Sequence, residues 1–216
     1  MAPLVQLTDT ALPPTLFRRL ARAIGQVGTE RLRQTYQTTL WYDFRQEPSC
    51  VVEEAIQALR PRVPPGLRLA GAEWWLSRMY TTDVRVDFHQ DRDERLALAT
   101  GRLVHPRLSS VFFLNRVRGG ALAVTREPPD PERPSLAPRN LDLTLVAPRP
   151  NRYVLFEGTL THGVLDAENQ VPTGKLPGRS RLRRTIAINW WRARPTEIPT
   201  YREAGVYRAL AVGRRR

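Results

Sequence analysis

The chemically versatile side chains of this chain are few, and two of them sit together. His89 and Asp91 stand in the segment Val-Asp-Phe-His-Gln-Asp that ends at residue 91. On an extended backbone, alternate side chains share a face, so residues i and i+2 can reach one metal ion. His162 follows 71 residues after Asp91, in Leu-Phe-Glu-Gly-Thr-Leu-Thr-His, just beyond an apolar run. Two imidazoles and one carboxylate form a facial set that suits Fe(II) and leaves coordination positions open. The plainer reading makes His89 a surface histidine beside a solvated acidic run of Asp87, Asp91, Asp93 and Glu94. An isolated His-x-Asp does not choose between the two. The remaining histidine, His105, precedes Pro106 and reads as a turn residue.

Cys50 is the only cysteine, which excludes an intrachain disulfide framework and a multi-cysteine zinc site. It stands at an expected helix start, where a thiol is acidified, but a buried structural thiol is the competing role. So little cysteine points to a reducing compartment, with the cytoplasm expected.

The chain has 216 residues, 41% hydrophobic and 25% charged, a size and balance suited to one domain with a sizeable core. That composition excludes wholesale disorder. No apolar run approaches the roughly 18 residues of a membrane span. The net charge is +13, and every basic residue except Lys175 is an arginine. A charge of this size suits nucleic acid. Arginine spread evenly by compositional bias is the alternative, and composition does not separate them.

The elements that must position these residues fall into two textures. Residues 1–66 are expected to form a helical support. Pro13 and Pro14 open a helix carrying Leu16, Phe17, Leu20 and Ile24. Thr29 and Glu30 open a second helix with Leu32, Tyr36 and Leu40, and a third begins near Ser49 with Val52, Ile56 and Leu59. Pro61 and Pro64-Pro65-Gly66 end this part. From 67 to 195, short strand-like runs alternate with turns: 72–80, 84–89, 110–115, 121–125, 141–146, 153–156 and 185–191. Many short strands behind a helical layer predict a mainly β barrel or double-sheet jelly roll. Residues 126–140, with five prolines, and 166–180 read as long loops, and 196–216 as a C-terminal extension of the same domain.

In this order of features the chain resembles the Fe(II)/2-oxoglutarate-dependent dioxygenases, particularly their prolyl-hydroxylase-like branch. The resemblance spans roughly residues 72–192 and rests on four blocks. Ser-Arg-Met-Tyr-Thr-Thr-Asp-Val-Arg-Val-Asp-Phe-His-Gln-Asp sets Tyr80 nine residues before His89. A strand, Leu114-Asn115 and Gly119-Gly120 make the second block; a proline-marked turn, an apolar strand and His162 make the third. Arg-Arg-Thr-Ile-Ala-Ile-Asn-Trp-Trp, ending at Trp191, is the fourth.

The resemblance implies a double-stranded β-helix of the cupin-like type. It implies Fe(II), 2-oxoglutarate and O2 as metal and cosubstrates, and His89, Asp91 and His162 as iron ligands. Arg184, six residues before Trp190, would pair with the distal carboxylate of 2-oxoglutarate, and Tyr80 would add a hydroxyl there. Strand alternation also puts Arg184 on one row with Leu182, Ile186 and Ile188. An arginine on an apolar, inward row calls for an anion that meets its planar fork.

Two departures stand out. His162 and Arg184 are 22 residues apart, longer than the branch's usual spacing, so 166–180 must be an insertion. Ala121-Leu122 follows the paired glycines where that branch often has Glu-Thr. The expected activity is hydroxylation of an unactivated C–H bond of an amino-acid, peptide or protein side chain, and the expected partner is an amino-acid, peptide or small-molecule substrate. An alkylated-nucleic-acid dioxygenase and a non-catalytic jelly-roll interaction module are the alternatives. The arginines at 179, 181, 183, 184 and 214–216 favour the former; Trp190, where that family has a second arginine, opposes it.

Overall fold

Six antiparallel strands form the major sheet of the computed structural model, which describes residues 3–28, 38–129 and 143–212. In chain order its members are β1 (Val5–Thr8), β2 (Leu40–Asp43), β3 (Gly71–Tyr80), β4 (Leu108–Phe113), β7 (Arg152–Glu157) and β9 (Leu182–Trp191). They lie side by side as β1-β7-β4-β9-β3-β2. A minor sheet, β6-β5-β8, is built from β5 (Leu122–Thr125), β6 (Thr144–Val146) and β8 (Thr161–Val164). The helices are α1 (Pro14–Gln26), α2 (Val51–Leu59), α3 (Glu94–Thr100) and α4 (Tyr201–Ala204). Among the described residues no helix is long and apolar enough to cross a membrane.

The major sheet is buried on both faces, and this decides where everything else sits. Its outer face carries Trp74, Leu76, Phe112, Tyr153, Leu155, Ile186, Ile188 and Trp190, packed with Leu20 and Ile24 of α1 and Val52, Ile56 and Leu59 of α2. Its inner face meets the minor sheet: Val111, Phe113, Val154 and Phe156 pack with Leu122, Val124 and Val146. The two faces alternate residue by residue, as the pleat requires. The result is a two-layer jelly roll backed by a helical layer.

Several expected elements differ. Residues 1–47 are not all helix, because β1 and β2 add edge strands to the major sheet. The helix expected from Thr29 lies largely outside the described residues, and Leu40 opens β2 instead. The run 84–89 is not a strand; it meets β8 only through an isolated bridge between His89 and His162. Most of 126–140 and the start of the run 141–146 also lie outside the described residues. Both β8 and α3 escaped the sequence reading. The four residues of β8 are too short for a periodic signal, whereas α3 carries its own caps: Asp93 accepts from Leu96 N, and Gly101 closes it at φ 72°.

Leu20 is completely buried where α1 meets the sheet. Leu20→Ala is expected to lower unfolding free energy by about 2–5 kcal/mol. Urea denaturation followed by circular dichroism measures it.

Candidate metal centre

His89, Asp91 and His162 converge. Their candidate ligand atoms all lie within 4.8 Å of one another. His89 Nε2 is 3.5 Å from Asp91 Oδ1, and His162 Nε2 is 3.4 Å from Asp91 Oδ2. The isolated bridge pairs the two histidine backbones, with His89 N donating to His162 O and His162 N to His89 O. His162 enters from β8, where it pairs with Val124, and its ring packs edge-on against Phe156 at 5.0 Å. Gly163 makes this approach possible: a Cβ there would lie 2.7 Å from the Phe88 ring.

The hydrogen bonds prepare the imidazoles for a metal. His89 Nδ1 sits 2.7 Å from Asp87 O, and His162 Nδ1 sits 3.2 Å from Leu160 O. A carbonyl accepts only, so each Nδ1 carries a proton, and Nε2 is the nitrogen that each ring would offer to a metal. Those two Nε2 atoms are the ones that face Asp91. Fixing a ligand's tautomer through its other nitrogen is what metal-binding histidines do. The donor set, two imidazole nitrogens and a carboxylate, fits a first-row divalent metal such as Fe(II).

Residues around the triad hold Asp91 in turn. Ser109 Oγ of β4 donates to Asp91 Oδ2 at 2.8 Å. His105 Nδ1 lies 2.8 Å from the backbone oxygen of Asp91, so the expected turn histidine braces the ligand segment without joining the triad. Burial is the largest influence on Asp91 and would raise its pKa. The neighbouring His162 and His89, with the Ser109 hydroxyl, outweigh it and hold the carboxyl well below the usual range. Burial also dominates at both histidines. At His162 it prevails and pushes the pKa down; at His89 the hydrogen bond and charge of Asp91 overcome it and hold the pKa up.

The expected cosubstrate residues fall differently. Arg184 lies on the outer face of the major sheet, directly across from Arg78 of β3 in the strand register. Tyr80 shares that face, opposite Leu182, and is 39% exposed. Neither side chain belongs to the inner row that leads to the triad. The residue on that row is Arg183, only 3% exposed, followed by Thr185, Ala187, Asn189 and Trp191. Asn189 pairs in register with Ser109, the donor to Asp91. Arg183 Nε donates to Gly120 O at 2.9 Å, Nη1 to Thr185 Oγ1 at 3.3 Å, and the guanidinium lies over the Phe113 ring. Gly120 stands at φ 66° with its Cα side against Arg183 Cδ, which gives the paired glycines a local role. Arg184 does share an apolar row with Ile186 and Ile188, but that row faces the helical layer rather than the space between the sheets.

Glu73 was missed. It sits on the inner face of β3 opposite Asn189, is 7% exposed, and accepts a 3.0 Å hydrogen bond from Trp191 Nε1. An acid inside the otherwise apolar run 72–76 was the signal available for it. Burial, reinforced by the charge of Asp91, pushes its pKa up from 4.5 to about 7 against the pull of Trp191 and Asn189.

A raised pKa means that the folded state holds a proton the unfolded chain has released. That stability is fully present below the unfolded pKa and is lost as pH rises through about 7. In metal-free protein, Glu73→Gln keeps an acceptor for Trp191 but removes this titration. The fall in melting temperature between pH 5 and pH 8 is therefore expected to shrink by on the order of 2–6 °C. Calorimetry at the two pH values reads the difference.

No protein-family model matches the chain, and no curated protein matches it in sequence. Solved structures do. A Pseudomonas putida prolyl-4-hydroxylase superposes with a TM-score of 0.52 at 21% identity, over 88% of this chain and 89% of that one. A prolyl 4-hydroxylase from Phytophthora capsici gives a TM-score of 0.52 at 14% identity, over 92% of this chain; the match spans 61% of that longer protein. With its two-layer jelly roll, the chain has the double-stranded β-helix fold that the prolyl 4-hydroxylases share.

Proposed function

We propose that this chain is an Fe(II)- and 2-oxoglutarate-dependent oxygenase. It hydroxylates an unactivated C–H bond of an amino-acid, peptide or protein side chain, with succinate and CO2 as co-products. The observation that carries this reading is the triad itself. His89, Asp91 and His162 converge with both Nδ1 atoms tied to backbone carbonyls and both Nε2 atoms turned toward the carboxylate. An interaction module that kept these residues as relics would have no reason to hold both tautomers. The name of the structural neighbours, prolyl 4-hydroxylase, supports a peptidyl side chain as substrate.

Bound Fe(II) would supply an open coordination position at which 2-oxoglutarate and O2 are activated together. The protein's own residues do the rest. With a metal bound, His89 and His162 would present their Nε2 atoms, and Asp91 would present a carboxylate held ionised by its neighbours. Ser109 and His105 keep that carboxylate and its backbone in place. In this reading Arg183, rather than Arg184, receives the distal carboxylate of 2-oxoglutarate. It lies on the inner face, its fork is planar, and Phe113 supports it. Apolar side chains of both sheets keep the interior dry, which strengthens that ion pair.

Anaerobic titration tests the reading without requiring a substrate. Fe(II) added with 2-oxoglutarate is expected to produce a visible charge-transfer band, absent in His89→Ala and His162→Ala. No such band in the wild type would sink the proposal. Arg183→Met is expected to weaken 2-oxoglutarate about 10- to 100-fold, the loss of a charge-assisted contact, while Arg184→Met changes it little. Equal effects of the two substitutions, in variants with matched circular dichroism, would remove Arg183 from this role.

A further inference from the structure

A groove of about 540 Å³ opens beside the ligand segment. Two of its lining residues are tied to that segment: His105 bonds to the Asp91 carbonyl, and Thr159 O accepts from the side chain of Gln90. A third, Trp191, stands at the end of the inner row and bonds to Glu73. The groove therefore runs along the rim of the metal centre.

Its charge is one-sided. Arg102, Arg107, Arg192 and Arg194 all line it. Arg194 is engaged by Ile198 O and the Glu203 carboxylate. The other three are exposed and have no side-chain hydrogen bond or ion pair among the described residues. The single carboxylate in the lining, Asp93, is already committed to Leu96 N, Thr196 N and Thr196 Oγ1. Three guanidinium groups thus share this lining with Val104, Pro106 and Pro195, and no anion among the described residues meets them.

We propose that this groove binds an acidic stretch of a peptide or protein substrate and so presents the neighbouring residue to the metal centre. The proposal rests on the oxygenase reading and narrows its substrate class. A nucleic acid would offer the same negative charge, but single strands also need exposed aromatic faces on which bases stack. Among the described residues Trp191 is the groove's only large aromatic, and it is 3% exposed with its Nε1 occupied by Glu73. An extended backbone lying on prolines and valine, with carboxylates reaching the arginine rim, matches the lining better.

Fluorescence anisotropy on the full chain tests this with three labelled probes: a proline-containing decapeptide flanked by glutamates, its glutamine counterpart, and a short single-stranded oligonucleotide. The acidic peptide is expected to bind about ten-fold more tightly than the glutamine peptide at low salt. That preference is expected to vanish in R102Q/R107Q/R192Q, whose exposed substitutions leave the melting temperature unchanged. Equal binding of the two peptides, a preference that survives in the triple variant, or tighter binding of the oligonucleotide would each overturn the proposal. The Fe(II)–2-oxoglutarate band is recorded on the same samples. If the band is missing while the acidic preference holds, the oxygenase reading fails and the groove's role as a substrate site fails with it. If the band is present and the preference absent, only the groove proposal fails.

Discussion

The central strand β9 is buried on both sides, and that constraint organises the molecule. Its even-numbered residues, Ile186, Ile188 and Trp190, are fully enclosed against the helical layer. Its odd-numbered residues face the minor sheet and lead from Arg183 to Asn189 and Trp191. Pairing with β4 and β3 locks this register, setting Ser109 and Glu73 on either side of Asn189. A slip of one residue would send every side chain to the opposite face. Arg183 would then face the helices, and the row beside Asp91 would become isoleucine.

The candidate metal centre adds little rigidity of its own and borrows most of it from the backbone. Each histidine is oriented by a main-chain carbonyl two residues earlier, Asp87 O for His89 and Leu160 O for His162. Asp91 is held by a hydroxyl from the major sheet, and its backbone by His105. Candidate ligands placed this way are preorganised without needing a metal to gather them. The cost of enclosing several ionisable groups together is visible in their pKa values. Asp91 is held down by the imidazoles, while nearby Glu73 is pushed up by burial and by Asp91.

Charge works at two scales here. The net charge of +13 is a property of the whole chain and says little about any one surface. Burial marks two arginines, Arg152 and Arg183, and the groove gathers three exposed ones, Arg102, Arg107 and Arg192. Of the buried two, Arg152 is absorbed structurally by Asp9 across the β1–β7 edge. Arginine count alone therefore could not separate bias from function.

Much of the fold was legible in the residues, and so were His89, Asp91 and His162, which the fold brings together. Turn-bounded apolar runs marked most of the strands, the amphipathic stripe marked α1, and His-x-Asp with a distant histidine marked the centre, because these signals depend on local spacing. The sequence also carried the alternation of β9, and so established that Arg183 and Arg184 point opposite ways. Which of the two points inward was decided only by tertiary structure. Periodicity reports that a face is apolar but not what covers it, and here both faces are covered. The same reason hid Glu73, Ser109 and the role of His105. Their partners lie 18 residues away or more for Ser109, 118 for Glu73 and 14 for His105, and only the folded chain brings them together.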